Sequence, residues 1–297
     1  MIEKQFIKTI EVELADICNL SCPLCPRKLE AFSVMIGNKP TFRPVSDLME
    51  QLAQFPCLEE VHLIGQMSEP TLHPDFLEIV ERCKNAGYRV VVYTNGSGKR
   101  GVPDFWNRLN DILDENDDVT FTVCGMDQEH HERYRVGSKL DDILAASSVL
   151  MGKGISTGVC IRFVYNDIHT RSPEFEEFMK THFSRYRIIC SDQIEGQPEP
   201  DFLPPVDSIK GFRLLKLEME RAESGCGLMC EHLDGNGLFI DIRGNIWPCP
   251  AFFQEAVERN VPEMTWNRCT ICGLDFRCCR KCTIPATKIR DYYDLDG

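Results

Sequence analysis

Cys18, Cys22 and Cys25 stand at the spacing Cys-x3-Cys-x2-Cys within Asp-Ile-Cys-Asn-Leu-Ser-Cys-Pro-Leu-Cys-Pro-Arg, directly after an alternating run at residues 10–14. Three thiolates on one short loop can hold three irons of a four-iron cluster, leaving the fourth iron with an open coordination position. An open iron can bind a substrate, which a cluster that only carries electrons cannot do. A structural zinc site reads less well here, because a single loop of three cysteines lacks a fourth ligand nearby. A second concentration of cysteines lies far along the chain. Cys230-x13-Gly244-x4-Cys249 is followed by Cys269-x2-Cys272-x5-Cys278-x3-Cys282, with Cys226 just before.

These groups need elements to position them. Short β-rich runs are expected at 10–14, 61–64, 89–93, 119–124, 157–164 and 185–190. Helical patterns lie between them near 46–54, 75–86, 103–115, 139–152 and 172–182, several opened by Ser, Asp or Pro. Such alternation predicts an α/β fold with a parallel sheet and crossover helices. Six βα units are too few to close an eight-stranded barrel, so a partial (β/α)6 TIM-like barrel is expected, working at the carboxyl edge of its strands. The run 191–205, with Gly196 and four prolines, reads as a linker, followed by a helix near 208–222. Beyond Ser224 the pattern changes to glycine, cysteine and short turns, with a hairpin expected about Arg243-Gly244. Two domains are therefore expected: a barrel over 1–205, and a linker helix with a small cysteine-rich iron-sulfur domain over 206–297.

Composition narrows the function. Sixteen cysteines in 297 residues, grouped at metal-like spacings and without a leader-like start, argue for metal ligation rather than disulfides, and for a cytoplasmic protein. A net charge of -13 disfavours nucleic acid as partner, and no run of eighteen apolar residues suggests a membrane span. Of the scattered cysteines Cys57, Cys83, Cys124, Cys160 and Cys190, most are expected to be small buried hydrophobes. His73, His130 and His131 read as ordinary residues, the last two on a surface turn rather than as metal ligands.

Spacing, position after a first strand and the intervening Asn19 make the amino-terminal motif resemble that of the radical SAM superfamily. The resemblance implies a [4Fe-4S] cluster on Cys18, Cys22 and Cys25 whose open iron chelates S-adenosylmethionine (SAM), and a reduced cluster that breaks the sulfonium bond to give a 5′-deoxyadenosyl radical. The usual aromatic before the third cysteine is Leu24 here. Gly65-Gln66-Met67-Ser68-Glu69-Pro70 looks like the family's Gly-Gly-Glu-Pro segment with a glycine replaced, and Tyr93-Thr94-Asn95-Gly96-Ser97 resembles its Thr-Asn-Gly. On that likeness Glu69 and Asn95 would bind SAM, Glu69 by accepting from its ammonium. Arg135, before Gly137, is similar to an arginine that meets the methionine carboxylate. Cys124, at the strand edge facing the expected site, is a candidate to return a hydrogen atom to a substrate radical.

The carboxyl-terminal cysteines match the SPASM signature of radical SAM enzymes, which implies one or two auxiliary [4Fe-4S] clusters. By position, Cys226, Cys230, Cys249 and Cys282 would bind the first, and Cys269, Cys272 and Cys278 three irons of the second. The family's last cysteine is not found after Cys282, which leaves Cys279, Asp291, Asp294 or an open iron. A shorter "twitch" arrangement would use Cys230, Cys249, Cys269 and Cys272. A different class, a structural zinc module that binds a protein, could use the same Cys-x2-Cys pairs but gives the amino-terminal triad no role.

Among SPASM relatives are peptide maturases, sulfatase maturases and enzymes acting on aminoglycosides. A first strand at about residue 10 leaves no room for a preceding peptide-recognition domain, and Pro250 follows Cys249 where sulfatase maturases carry an acidic residue. Oxidation or epimerisation of a small sugar- or aminoglycoside-like molecule is therefore expected ahead of peptide maturation, with a flavodoxin- or ferredoxin-type reductant.

Overall fold

The structure is a computed structural model; it describes residues 4–23, 25–28, 39–66, 68–99, 102, 104–163, 173–190, 237–247 and 293–294. Six parallel strands follow one another, β1 (Thr9–Glu13), β2 (Glu60–Ile64), β3 (Arg89–Thr94), β4 (Asp118–Thr122), β5 (Ser156–Phe163) and β6 (Arg185–Cys190). Between them lie α1 (Val45–Leu52), α2 (Phe76–Asn85), α3 (Phe105–Ile112), α4 (Gln128–Tyr134), α5 (Leu140–Met151) and α6 (Pro173–His182). This is the expected partial TIM-like barrel.

Alternation along each strand assigns its two faces. Ile10 and Val12, Val61 and Leu63, Val90 and Val92, and Val119 and Phe121 belong to one buried core with Leu48 and Leu52 of α1, Ile79 and Val80 of α2, Leu109 of α3, Ile143 of α5 and Met179 of α6. The opposite face of the same strands mixes polar groups, Glu11, Glu13, His62, Tyr93, Asp118 and Thr120, with the buried apolar Ile64 and Val91. It lines the lumen around which the partial barrel bends, where buried polar groups must find partners.

Deep in this lumen His62 is 4% exposed, pairs with Glu60, and has Nδ1 3.8 Å from Glu11 Oε1. Glu60 also pairs with Arg89, and Asp118 lies between Arg89 and Arg185, so alternating charges line the amino-terminal end of the barrel. Burial works against a charged His62 ring, yet Glu11 and Glu60 raise it to about 9. Because the folded value exceeds the unfolded one, the stabilisation is complete below about pH 6.5 and is lost as pH rises through about 9. Urea midpoints measured from pH 6 to pH 10 should fall across that window, and His62→Gln should flatten the fall. An equally steep fall in the variant would refute this origin.

The expected hairpin is present, and it extends the barrel sheet. β7 (Gly237–Ile240) pairs antiparallel with β8 (Ile246–Trp247) and parallel with β1, in the order β8-β7-β1-β2-β3-β4-β5-β6. The sheet thus has seven parallel strands where six were expected, and the β1 edge, otherwise open, is covered. Asp241 builds the turn: Oδ1 accepts from Arg243 N and Asn245 N, each at 2.9 Å, and Oδ2 from Trp247 Nε1 at 2.9 Å. Arg43 Nη1 to Asp241 O at 3.1 Å and Gln51 Nε2 to Gly244 O at 2.9 Å fasten it to the first βα unit. A two-residue strand, β9 (Tyr293–Asp294), pairs antiparallel with β6. The expected linker over 191–205 and the helix near 208–222 lie outside the described residues.

Candidate active site at the carboxyl edge of the barrel

Because the strands are parallel, the loops after β1, β2, β3 and β4 leave from one edge, and every amino-terminal candidate sits on them. Cys22 is buried and Cys18 and Cys25 are half-buried, all three as free thiols. The loop folds on itself through Cys25 N to Cys22 O at 3.3 Å and Lys28 N to Cys25 O at 3.0 Å. Ser21 N to Val136 O at 3.0 Å ties it to the segment after α4. Burial pushes the Cys18 thiol up to about 11 and raises Cys25 as well. Thiolates here therefore need a positive charge to compensate them, which bound iron supplies.

N–H donors surround the sulfurs. Backbone N–H groups of Leu20 and Arg27 face Cys18 and Cys25, Asn95 Nδ2 lies 3.7 Å from Cys18 Sγ, and Arg135 Nη1 lies 3.7 Å from Cys22 Sγ. Among the described residues no trio of His, Cys, Asp or Glu converges as on a single ion. Three free thiols on one loop, each facing N–H donors, are the donor set an iron-sulfur cluster takes, so the residues present fit one.

Glu69 organises the neighbouring strand end. It is 2% exposed, and Oε1 accepts from Thr71 N at 3.2 Å, Thr71 Oγ1 at 2.6 Å and Thr94 Oγ1 at 2.6 Å, while Oε2 accepts from Asn95 N at 2.7 Å. Its own N–H donates to Ile17 O at 2.8 Å, next to Cys18. Burial pushes the carboxyl up, and these donors oppose the push. Gly98 is packed so closely on Thr71 and Glu69 that a Cβ would overlap them. Asn95 then closes a ring: Oδ1 accepts from Ser97 N at 2.8 Å, Nδ2 donates to Asn19 Oδ1 at 3.0 Å, and Asn19 Nδ2 donates to Ser97 O at 3.0 Å.

A model of the radical SAM superfamily matches residues 12–181, which covers the triad, the Glu69 and Asn95 loops, and Arg135. The chain belongs to the radical SAM superfamily. The triad lies inside the matched span, and membership of this superfamily implies that the chain holds a [4Fe-4S] cluster and binds SAM. It is 23% identical over 249 residues to the GTP 3′,8-cyclase of Actinobacillus pleuropneumoniae serotype 3 (strain JL03), covering 82% of this chain and 62% of that one. The chain thus spans under two thirds of that relative. A tungsten-containing aldehyde ferredoxin oxidoreductase cofactor-modifying protein of Pyrococcus furiosus is 29% identical over 91 residues, 31% of this chain and 24% of the relative. SAM-bound SuiB of Streptococcus suis superposes with a TM-score of 0.62 at 13% identity, over 88% of this chain and 63% of that one. AdoMet-bound anSMEcpe does so at 0.54 and 13%, over 81% and 74%. At these identities the superpositions show a shared fold.

Within the radical SAM barrel, some side chains lie where the sequence did not place them. β4 ends at Thr122, not at residue 124, because Gly125 must pack against His130 and His131, where a Cβ would not fit. The segment that follows forms α4, capped by Asp127, whose Oδ1 accepts from His130 N at 2.9 Å. This helix corrects the reading of His131 as a surface residue. It is fully buried: Nδ1 accepts from Cys124 N at 3.2 Å and Nε2 meets Ser138 Oγ at 2.9 Å. Burial, then the nearby Arg135 charge, lower it to about 4, so it is neutral. His73 is also buried, bonded to Arg43 O at 2.8 Å. Burial alone would lower Arg135, but the Cys124 and Cys22 thiols beside it hold it above its ordinary value. Cys83 is buried as expected and Cys57 is exposed, whereas Cys124, expected at a strand edge facing the site, is buried beyond the end of β4.

Glu13 escaped the sequence reading. Buried at the end of β1, it accepts from Gln66 N at 3.1 Å and Ser68 Oγ at 2.7 Å and so shapes the loop that carries Glu69. A carboxylate inside an alternating apolar strand was the available signal. Leu24, Cys226, Cys230, Cys249, Cys269, Cys272, Cys278, Cys279, Cys282 and Asp291 lie outside the described residues, and Asp294 is described only as part of β9. Among the described residues, no helix is long and apolar enough to cross a membrane.

Proposed function

We propose that the enzyme uses a [4Fe-4S] cluster on Cys18, Cys22 and Cys25 to cleave SAM reductively, and that the resulting 5′-deoxyadenosyl radical removes a hydrogen atom from a small molecule. The observation that carries this reading is the junction of the triad loop with the ends of β2, β3 and β4 through the Asn19–Asn95–Ser97 ring and the Arg135–Cys22 contact. When bound, the cluster supplies the electron and the open iron; the chain supplies orientation and exclusion of water. Arg135, fully cationic, offers its planar fork to the SAM carboxylate. Asn95 lies beside the same ligand with its carboxamide held by Ser97, Asn19 and Cys18, and Glu69 reaches the ammonium from Oε2, which carries one internal donor. A flavodoxin- or ferredoxin-type protein delivers the electron.

We favour a sugar- or aminoglycoside-like substrate, oxidised or epimerised, which polar side chains at the carboxyl edge of the barrel, among them Ser68 and Tyr93, can meet with hydrogen bonds. The name of the A. pleuropneumoniae relative, a GTP cyclase, supports a small polar molecule and adds nucleotides to the class. Peptide maturation is the second reading. The cysteine-rich part of 206–297 would carry one or two auxiliary clusters, on Cys226, Cys230, Cys249, Cys282 and Cys269, Cys272, Cys278, outside the β7–β8 hairpin and β9, which join the barrel sheet.

Anaerobically reconstituted protein given SAM and dithionite should form 5′-deoxyadenosine; an intact cluster with no such product would overturn the reading. In deuterium oxide, an epimerisation with Cys124 as donor should place solvent deuterium in the product, and Cys124→Ala should abolish that incorporation. A dehydrogenation should incorporate none and reduce an auxiliary cluster by one electron per turnover.

A further inference from the structure

Asn95 and Arg135 each direct an N–H at a sulfur of the triad, and their geometry is fixed from several sides. For Asn95 the orientation of the carboxamide follows from its neighbours. Ser97 N–H at 2.8 Å requires an acceptor, which must be Oδ1. Asn19 presents Oδ1 at 3.0 Å because its own Nδ2 is committed to Ser97 O, so Asn95 must present Nδ2. Turning the amide over would set N–H against N–H on one side and oxygen against oxygen and sulfur on the other. The remaining Asn95 Nδ2 proton points along the 3.7 Å line to Cys18 Sγ. The backbone beneath is held by Asn95 N to Glu69 Oε2 at 2.7 Å. Arg135 is positioned by the end of α4, through Arg135 N to His131 O at 3.0 Å, and sends Nη1 to Cys22 Sγ at 3.7 Å.

We propose that Asn95 and Arg135 are positioning residues for the electron step: their N–H···S bonds to Cys18 and Cys22 raise the reduction potential of the cluster. This rests on the function proposed above. Reduction adds one electron, taken from the external reductant, to a centre that already carries anionic thiolates. A donor to sulfur stabilises the more negative state more strongly, so the potential rises. The local surroundings push the other way: Glu69 is a buried carboxylate hydrogen-bonded directly to Asn95 N, and the chain carries a net charge of -13. Two fixed donors offset that bias and bring the cluster within reach of a biological reductant.

The test is a potentiometric titration of the reconstituted full chain, followed by low-temperature electron paramagnetic resonance. The centre is identified as the one absent when Cys18, Cys22 and Cys25 are changed together to Ala, an assignment that does not need SAM to bind the variants. Asn95→Leu, nearly isosteric and without a donor, and Arg135→Gln should each lower the reduction equilibrium constant about tenfold, a shift of about 59 mV for one electron. In the wild-type protein, Fe–Sγ bands in resonance Raman spectra should shift on exchange into deuterium oxide, and part of that shift should vanish in each variant. Reduction equilibrium constants that agree within threefold, or wild-type Fe–Sγ bands insensitive to deuterium, would overturn the proposal. Because the backbone N–H groups of Leu20 and Arg27 also face the sulfurs, the deciding comparison is wild type against the iron-loaded variants, with Asn95→Asp as a second variant at that position should Asn95→Leu fail to take up iron. A SAM-responsive cluster with an unmoved potential overturns this inference alone; a wild-type cluster that never responds to SAM overturns the function as well.

Discussion

Changing Cys18, Cys22 and Cys25 together to Ala should reduce 5′-deoxyadenosine formation to the level seen without protein. The loss should exceed about 100-fold, because even the outer partners of metal ligands cost roughly 10–100-fold when removed. Iron content should fall by about four atoms per chain, the complement of one [4Fe-4S] cluster. Iron on the auxiliary clusters proposed for the 206–297 region should remain, which separates loss of this cluster from general failure to load iron. The barrel itself should survive, since its core is built from strand and helix residues such as Val12, Leu63, Val92 and Phe121, and none of the three cysteines belongs to it. A preserved thermal midpoint with no SAM cleavage is the expected pair of results. Undiminished reductive cleavage by the triple variant would exclude this loop as the site of the chemistry.

The order of strands and helices was legible because period-2 and period-3.6 patterns alternate clearly over the first 190 residues, and the triad spacing sits on a loop whose place the strands dictate. Two features were less legible, each for a physical reason. α4 carries almost no apolar stripe: Gln128, Glu129, His130, His131, Glu132 and Arg133 look solvent-facing, and only its Asp127 cap signals a helix. The burial of His131 follows from what it bonds, the Cys124 N–H and the Ser138 hydroxyl, and pairings of that kind are tertiary. The place of β7 beside β1 was likewise invisible, since a hairpin shows its own turn in the sequence but not the edge that it will cover. In the same way Glu69 was legible as a residue of the site, but not as an acceptor for its own neighbours.

That internal role makes Glu69 the second position at which a large effect is expected. Glu69→Ala should destabilise the protein by about 3 kcal/mol or more, because the amides of Thr71 and Asn95 keep their positions and lose their acceptor, at about 1–3 kcal/mol for each buried unsatisfied donor. The Thr71 and Thr94 hydroxyls can rotate towards other acceptors and contribute less. Glu69→Gln should cost less than Ala but not nothing. With its oxygen at the Oε1 position, where three donors meet, its amide must face Asn95 N–H, donor against donor. The damage should reach the site along two routes, through Asn95 to Cys18 Sγ and through the Glu69 N–H to Ile17 O beside Cys18. Urea unfolding of the iron-free chain isolates the stability term, and SAM affinity of the reconstituted chain at a urea-free, low temperature isolates the site. Glu69→Gln should shift both, with SAM affinity reduced about tenfold, the equivalent of 1.4 kcal/mol. A variant with a lower urea midpoint and native SAM affinity would confine Glu69 to the fold, whereas an unchanged midpoint would mean that its four donors find partners without it.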